Sequence, residues 1–199
     1  MLTRLALAGL AVAACLACAG TVSDRSYPAL AERRAPILRI AVAPFGAKPE
    51  AARPASGMVA RQLTEALVDR GIEVVGPEDV ARALGGGEPT GGAPALAALV
   101  KSQFDADALV LGEITRWVER EGEAAGTQRP ASVGVRVELY GAPGGERLWE
   151  GEFDRTQQAM TENVLLTPRY PGGGMRWLTA EEFAQFAASE LAAALPLAP

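Results

Sequence analysis

The stretch Val133-Gly-Val-Arg-Val-Glu-Leu-Tyr140 decides the fold. Val133, Val135, Val137 and Leu139 alternate with Gly134, Arg136, Glu138 and Tyr140. A period of two puts successive side chains on opposite faces, so this is a strand with one apolar and one wet face. Working forward, Ala142-Pro-Gly-Gly145 is a turn, and Leu148-Trp-Glu-Gly-Glu-Phe153 returns as its hairpin partner, with Trp149 packed in the hairpin. Working backward, residues 119–130 are polar and predict an exposed loop. Before them, Ala108-Leu-Val-Leu-Gly-Glu-Ile114 is a short, almost wholly apolar run of the kind a buried strand requires.

The pattern changes further upstream. Residues 37–45 are rich in branched apolar residues, are stopped by Pro44, and predict a buried strand. Val59, Leu63, Ala66 and Leu67 then recur at helical spacing, with Ser56 as an expected N-cap and Gly71 as the stop. A short strand over 72–75 and a short helix opened by Pro77 follow, then the glycine-rich loop 85–94 and a helix over 95–104. Residues 160–177 are irregular, and the last helix starts at Thr179 with the capping box Thr179-Ala-Glu-Glu182. The order β-α-β-α-α-β-β-β-α implies an α/β fold. Its mixed sheet has a parallel crossover part and an antiparallel hairpin, packed with about four helices in one domain over residues 36–199.

The N-terminus concerns location. Arg4 precedes an unbroken apolar run from Leu5 to Ala14, followed by Cys15 and Cys18. A basic start, a short apolar stretch and small residues at a cut site predict a signal peptide over residues 1–17. Val12-Ala-Ala-Cys15 and Cys15-Leu-Ala-Cys18 both resemble the lipobox of bacterial lipoproteins, so cleavage is expected before Cys15 or Cys18, with the new N-terminal cysteine acylated. Neither Leu16 nor Ala19 is aspartate, which favours the outer membrane under bacterial sorting rules. Residues 18–35 carry no sustained periodicity and are expected to be a flexible tether, reaching at most roughly 60 Å.

This succession of motifs resembles that of a group of known proteins. Leu38-Arg-Ile-Ala-Val-Ala-Pro-Phe45, Gly71-Ile-Glu-Val-Val75, Phe104-Asp-Ala-Asp-Ala-Leu-Val-Leu-Gly-Glu-Ile114 and Gly145-Glu-Arg-Leu-Trp149 resemble, in order, the core segments of bacterial envelope lipoproteins of the CsgG, LpoB and TolB-N-terminal-like group. The resemblance spans residues 37–158 and the last helix. It implies an envelope lipoprotein, but not one activity, because members of the group include secretion-pore subunits and activators of peptidoglycan synthases. The chain lacks the long paired segments of the pore subunit and the long tether of the synthase activator.

Composition narrows the chemistry. There is no histidine in 199 residues, which removes the commonest general base and zinc ligand and the usual partner of a serine or cysteine nucleophile. The net charge is −5 and no basic block occurs, which argues against a nucleic-acid partner. No cofactor motif is present. Gly85-Gly-Gly87 and Gly172-Gly-Gly174 lack the lysine and hydroxyl of a phosphate-binding loop and read as turns. Asp105 and Asp107 read as residues that precede and order a strand rather than as a metal pair, and Glu119, Glu121 and Glu123 as a solvated loop. The segment 164–177 is the expected partner surface. Leu166, Arg169, Tyr170, Met175, Arg176 and Trp177 combine aromatic, apolar and arginine side chains, the composition of interface hot spots. The alternative is that this loop folds back and supplies core side chains. Together these features lead us to expect a non-enzymatic envelope lipoprotein. It would be anchored in the bilayer by its acylated cysteine and would bind other envelope proteins or itself. A subunit of an oligomeric assembly ring and a histidine-free hydrolase are the rival readings.

Overall fold

The computed structural model describes residues 21–85, 91–159 and 169–197. Cys15, Cys18, Gly86, Gly87 and Leu166 lie outside them. The elements in chain order are β1 (Ser23–Ser26), α1 (Pro28–Glu32), β2 (Arg39–Val42), β3 (Gly46–Ala47), α2 (Ser56–Asp69), β4 (Glu73–Val75), α3 (Pro77–Ala83), α4 (Gly92–Phe104), β5 (Ala108–Val118), β6 (Glu121–Glu123), β7 (Gly126–Arg129), β8 (Ser132–Gly141), β9 (Arg147–Thr156) and α5 (Ala180–Ala194).

Six strands form a continuous path in the order β1-β9-β8-β5-β2-β4, and β3 adds beside β5 to make a seven-stranded sheet. β2 is parallel to β4 and β5, while β5, β8, β9 and β1 are antiparallel in turn. The mixed sheet expected from the pattern is present, with five α-helices among the described residues rather than about four.

The apolar face of β8 is the floor of the main core. Val133, Val135, Val137 and Leu139 are at most 1% exposed and pack with Ile40, Val42 and Val110 beneath α2 and α5. The central strands are apolar on both faces because α3 and α4 cover part of the other side. Ala41, Ala43 and Leu109 meet Val80, Leu96 and Val100 there. Beyond those helices the second face is open, and charged pairs cross it: Arg136 to Glu152 (3.2 Å), Arg147 to Glu138 (3.1 Å) and Arg116 to Asp154 (2.5 Å). The register of β5 shifts between Ile114 and Arg116, and the extra residue turns Trp117 back toward the core.

Four aromatic rings lie beneath α5. Phe153 on β9 meets Phe183 and Phe186 edge-on at 5.5 and 5.9 Å, and Tyr170 meets the same two at 5.6 and 5.0 Å. The C-terminal end of α5 is closed by Arg70, whose guanidinium donates to the carbonyls of Ala192, Leu195 and Leu197. Gly71, with φ of +80°, follows α2 as expected. Ser56 does not cap α2. Ala55 occupies the N-cap, and the Ser56 hydroxyl donates back to the Arg53 carbonyl at 2.9 Å.

The tether expected over 18–35 is corrected from Thr21 onward. β1 pairs antiparallel with β9 from Ser23–Glu152 to Ser26–Trp149. Trp149 Nε1 donates to Asp24 (3.0 Å), and the Tyr27 amide donates to the Leu148 carbonyl (2.9 Å). Arg147 lies 5.6 Å over the Tyr27 ring. The segment Ser-Asp-Arg-Ser shows no apolar alternation because all four residues are exposed. It is held mainly by backbone bonds to a sheet edge, and composition does not report those.

Candidate functional site

Four segments converge beyond the C-terminal end of β9: the β6–β7 hairpin, residues 157–159, residues 169–177 and the start of α5. Gln157, 3% exposed, is the fastener. Its Nε2 donates to the Arg176 carbonyl (2.9 Å), and its Oε1 accepts from the Leu178 amide (2.7 Å). The Trp177 amide donates to Ala124 in the hairpin turn (2.9 Å), and Arg120 donates to the Trp177 carbonyl (2.7 Å). These contacts leave an open groove of about 330 Å³ lined by Ala125, Gln157, Gly174, Met175, Arg176 and Trp177, among others.

The α5 N-terminus lies beside this groove. The Thr179 hydroxyl accepts from the Glu182 amide (3.2 Å), and Glu182 accepts from the Thr179 amide (3.0 Å), so the capping box forms as read. Glu119 adds an unforeseen cap by accepting from the Ala180 amide (3.1 Å). Arg176 clamps Glu182 through two bonds of 2.7 and 2.8 Å. That clamp holds the Glu182 carboxyl at about 2, against the partial burial that opposes ionisation, and the Thr179 amide assists. The depressed value stabilises the fold above the ordinary carboxylate value of 4.5, and this contribution fades as pH falls toward 2. In urea melts, the stability advantage of wild type over Glu182→Gln should therefore shrink between those pH values. An advantage that does not vary with pH there would remove the clamp from the account.

The residues nominated from sequence are sorted by this geometry. Tyr170 is 3% exposed and seated between Phe183 and Phe186, so it belongs to the core and not to a partner surface. Ring burial of this kind depends on the facing helix, which local composition does not show. Arg169 forms two 2.7 Å bonds to Glu190. The Thr21 hydroxyl also donates to that carboxylate. Arg176 is committed to Glu182, and Trp177 is half-buried. Met175 is 84% exposed. Gln157 was missed because a single polar residue at the end of a strand carries no pattern. The solvated-loop reading is corrected at Glu119, which caps α5, and at Arg120, which holds the Trp177 carbonyl.

The other candidates have structural roles. Asp105 has φ of +53° and ends α4, where it pairs with Lys101 at 2.7 Å. Asp107 accepts from the Leu38 and Arg39 amides at 3.0 and 3.2 Å and pairs with Lys101 at 3.3 Å. Burial opposes its ionisation, but those amides and Lys101 outweigh burial and hold its pKa below the ordinary value. Glu121 pairs with Arg129 across the β6–β7 hairpin. Among the described residues, no group of three histidine, cysteine or acidic side chains is placed to hold a metal ion. No described helix is long and apolar enough to cross a membrane.

No protein-family model matches the chain, and no curated protein matches it in sequence. Solved structures do. The chain is similar to the PelC dodecamer from Paraburkholderia phytofirmans, at 18% identity and TM-score 0.45 over 85% of this chain and 92% of that one. It is similar to lipoprotein GNA1162 from Neisseria meningitidis, at 18% identity and TM-score 0.43 over 57% and 78% of the two chains. It is also similar to the LpoB C-terminal domain from Escherichia coli, at 15% identity and TM-score 0.42 over 65% and 94%.

Proposed function

We propose that the chain is a lipoprotein of the bacterial outer membrane, anchored on the periplasmic face by an acylated Cys15 or Cys18. Its α/β domain is a non-catalytic module that binds other envelope proteins or further copies of itself. One observation carries this reading: the apolar run from Leu5 to Ala14 ends on small residues that lead directly into cysteine. The charged side chains around the groove support the non-catalytic part. Arg169, Arg176 and Arg129 are each committed to a carboxylate, and Glu119 to a helix cap, so none is left as an acid–base pair facing the groove. A single acyl chain holds a protein only marginally, whereas a triacylated cysteine anchors it stably. Confinement at the membrane raises the domain's effective concentration for partners there.

Metabolic labelling with a fatty-acid analogue tests the reading. Wild type is expected to take up label and to fractionate with membranes, and a Cys15→Ala, Cys18→Ala double variant to lose both properties. Of the two single variants, the one that behaves like the double variant identifies the acylated residue. Unchanged labelling and fractionation in the double variant would sink the anchor.

A further inference from the structure

The anchor and the fold leave little chain between them. Two residues separate Cys18 from Thr21, and five separate Cys15 from it. At about 3.3–3.6 Å per residue, the chain covers at most roughly 10 Å from Cys18 or 20 Å from Cys15. Thr21 itself is 5% exposed and fixed, with its hydroxyl on Glu190 and its carbonyl accepting from Arg155 Nε at 3.4 Å. A domain of this length has a radius of gyration of about 16 Å. The available leash is no longer than the body is wide, so it keeps Thr21 within roughly 10–20 Å of the bilayer and turns the side of the domain that holds it toward the membrane.

The sheet topology identifies what shares that side. β1 runs antiparallel to β9, so the chain arrives beside the C-terminal end of β9. Arg155 at that end holds Thr21, and Gln157 two residues later holds Arg176. Arg169 shares the Glu190 carboxylate with Thr21. Met175, Trp177 and the small apolar turn Ala124-Ala125 of the β6–β7 hairpin therefore sit at the end of the domain nearest the anchor. Of the arginines there, Arg169, Arg176 and Arg129 are paired with Glu190, Glu182 and Glu121, while Arg155 and Arg120 donate to the backbone carbonyls of Thr21 and Trp177. Met175 and Trp177 are the large apolar side chains placed to make contact.

We infer that this end rests on the lipid surface, with Met175 and Trp177 in the interfacial layer, so that the groove is a membrane contact and not a protein-binding site. The inference rests on the anchor proposed above. An exposed flexible thioether and a tryptophan suit that layer, since tryptophan concentrates where apolar and hydrated environments meet. Other envelope proteins would then bind the surfaces turned away from the bilayer.

The test uses the full-length protein purified from membranes and reconstituted into vesicles of phosphatidylethanolamine and phosphatidylglycerol doped with phosphatidylcholine brominated on its acyl chains. Met175→Trp adds an emitter at the proposed contact. Ser102→Trp adds one at the end of α4, which leads into the opposite end of the sheet. Most of the emission added at position 175 should be quenched by bromine, and that added at 102 should not. Raising the salt concentration should leave this contrast unchanged. If position 175 stays bright while the protein remains vesicle-bound, the docking is wrong and the anchor stands. A blue-shifted emission at 175 that ignores bromine marks a protein contact and equally overturns the inference. A protein that does not stay with the vesicles because it carries no acyl chain overturns both.

Discussion

Phe183→Ala is expected to destabilise the domain by about 3–5 kcal/mol, the range for removing a fully buried phenylalanine. Phe183 is 0% exposed and touches Phe153, Tyr170 and Phe186 with ring centroids 5.5–6.3 Å apart. Its loss leaves a void between α5 and β9 that none of the three rings can fill without abandoning its neighbours. Edge-on pairs add about 0.5–1.5 kcal/mol each beyond the area they bury. Domains of this kind are stable by only about 5–15 kcal/mol, so the substitution removes a large share of the total. In urea, the midpoint should fall while the slope stays near the wild-type value. Met175→Ala is the control and should change stability by no more than about 0.5 kcal/mol. A Phe183→Ala cost close to that of the control would mean that the aromatic cluster is not the core beneath α5.

Gly112→Ala is the second large effect, and it comes from adding atoms. Gly112 lies opposite Val137 in the middle of β5, and the Phe45 ring occupies the space where a Cβ would stand. β5 is held by β8 on one side and β2 on the other, so it cannot shift to accommodate a methyl group. Overpacking of this kind costs about 1–3 kcal/mol. Phe45→Ala empties the contested space, so Gly112→Ala made in that background should cost little. The double-mutant cycle should therefore show a coupling of about 1–3 kcal/mol. Independent, additive effects would place Phe45 elsewhere.

Legibility followed burial pattern. β8 was readable because a valine or leucine meets the core at every second position. α2 and α5 were readable because their apolar residues recur at helical spacing and a stop or cap marks one end. β1 and the β6–β7 hairpin were not readable, since Ser-Asp-Arg-Ser and Glu-Gly-Glu show no apolar period and are held by backbone pairing with a few polar side-chain links. The same limit separated the loop residues. Tyr170 and Trp177 look equivalent in a string of letters, and only the position of the Phe183 and Phe186 rings makes one of them core.

The pairing of β1 with β9 also bears on how the molecule withstands load. A pull on an anchored N-terminus enters the fold at Thr21 and runs along β1. The ladder bonds to β9 lie across that direction, so they resist together in shear and do not open one at a time like a zipper. The Asp24–Trp149 bond pins the strand near its leading end. Under the proposed anchor, drag on the domain would thus load the β1–β9 ladder in shear.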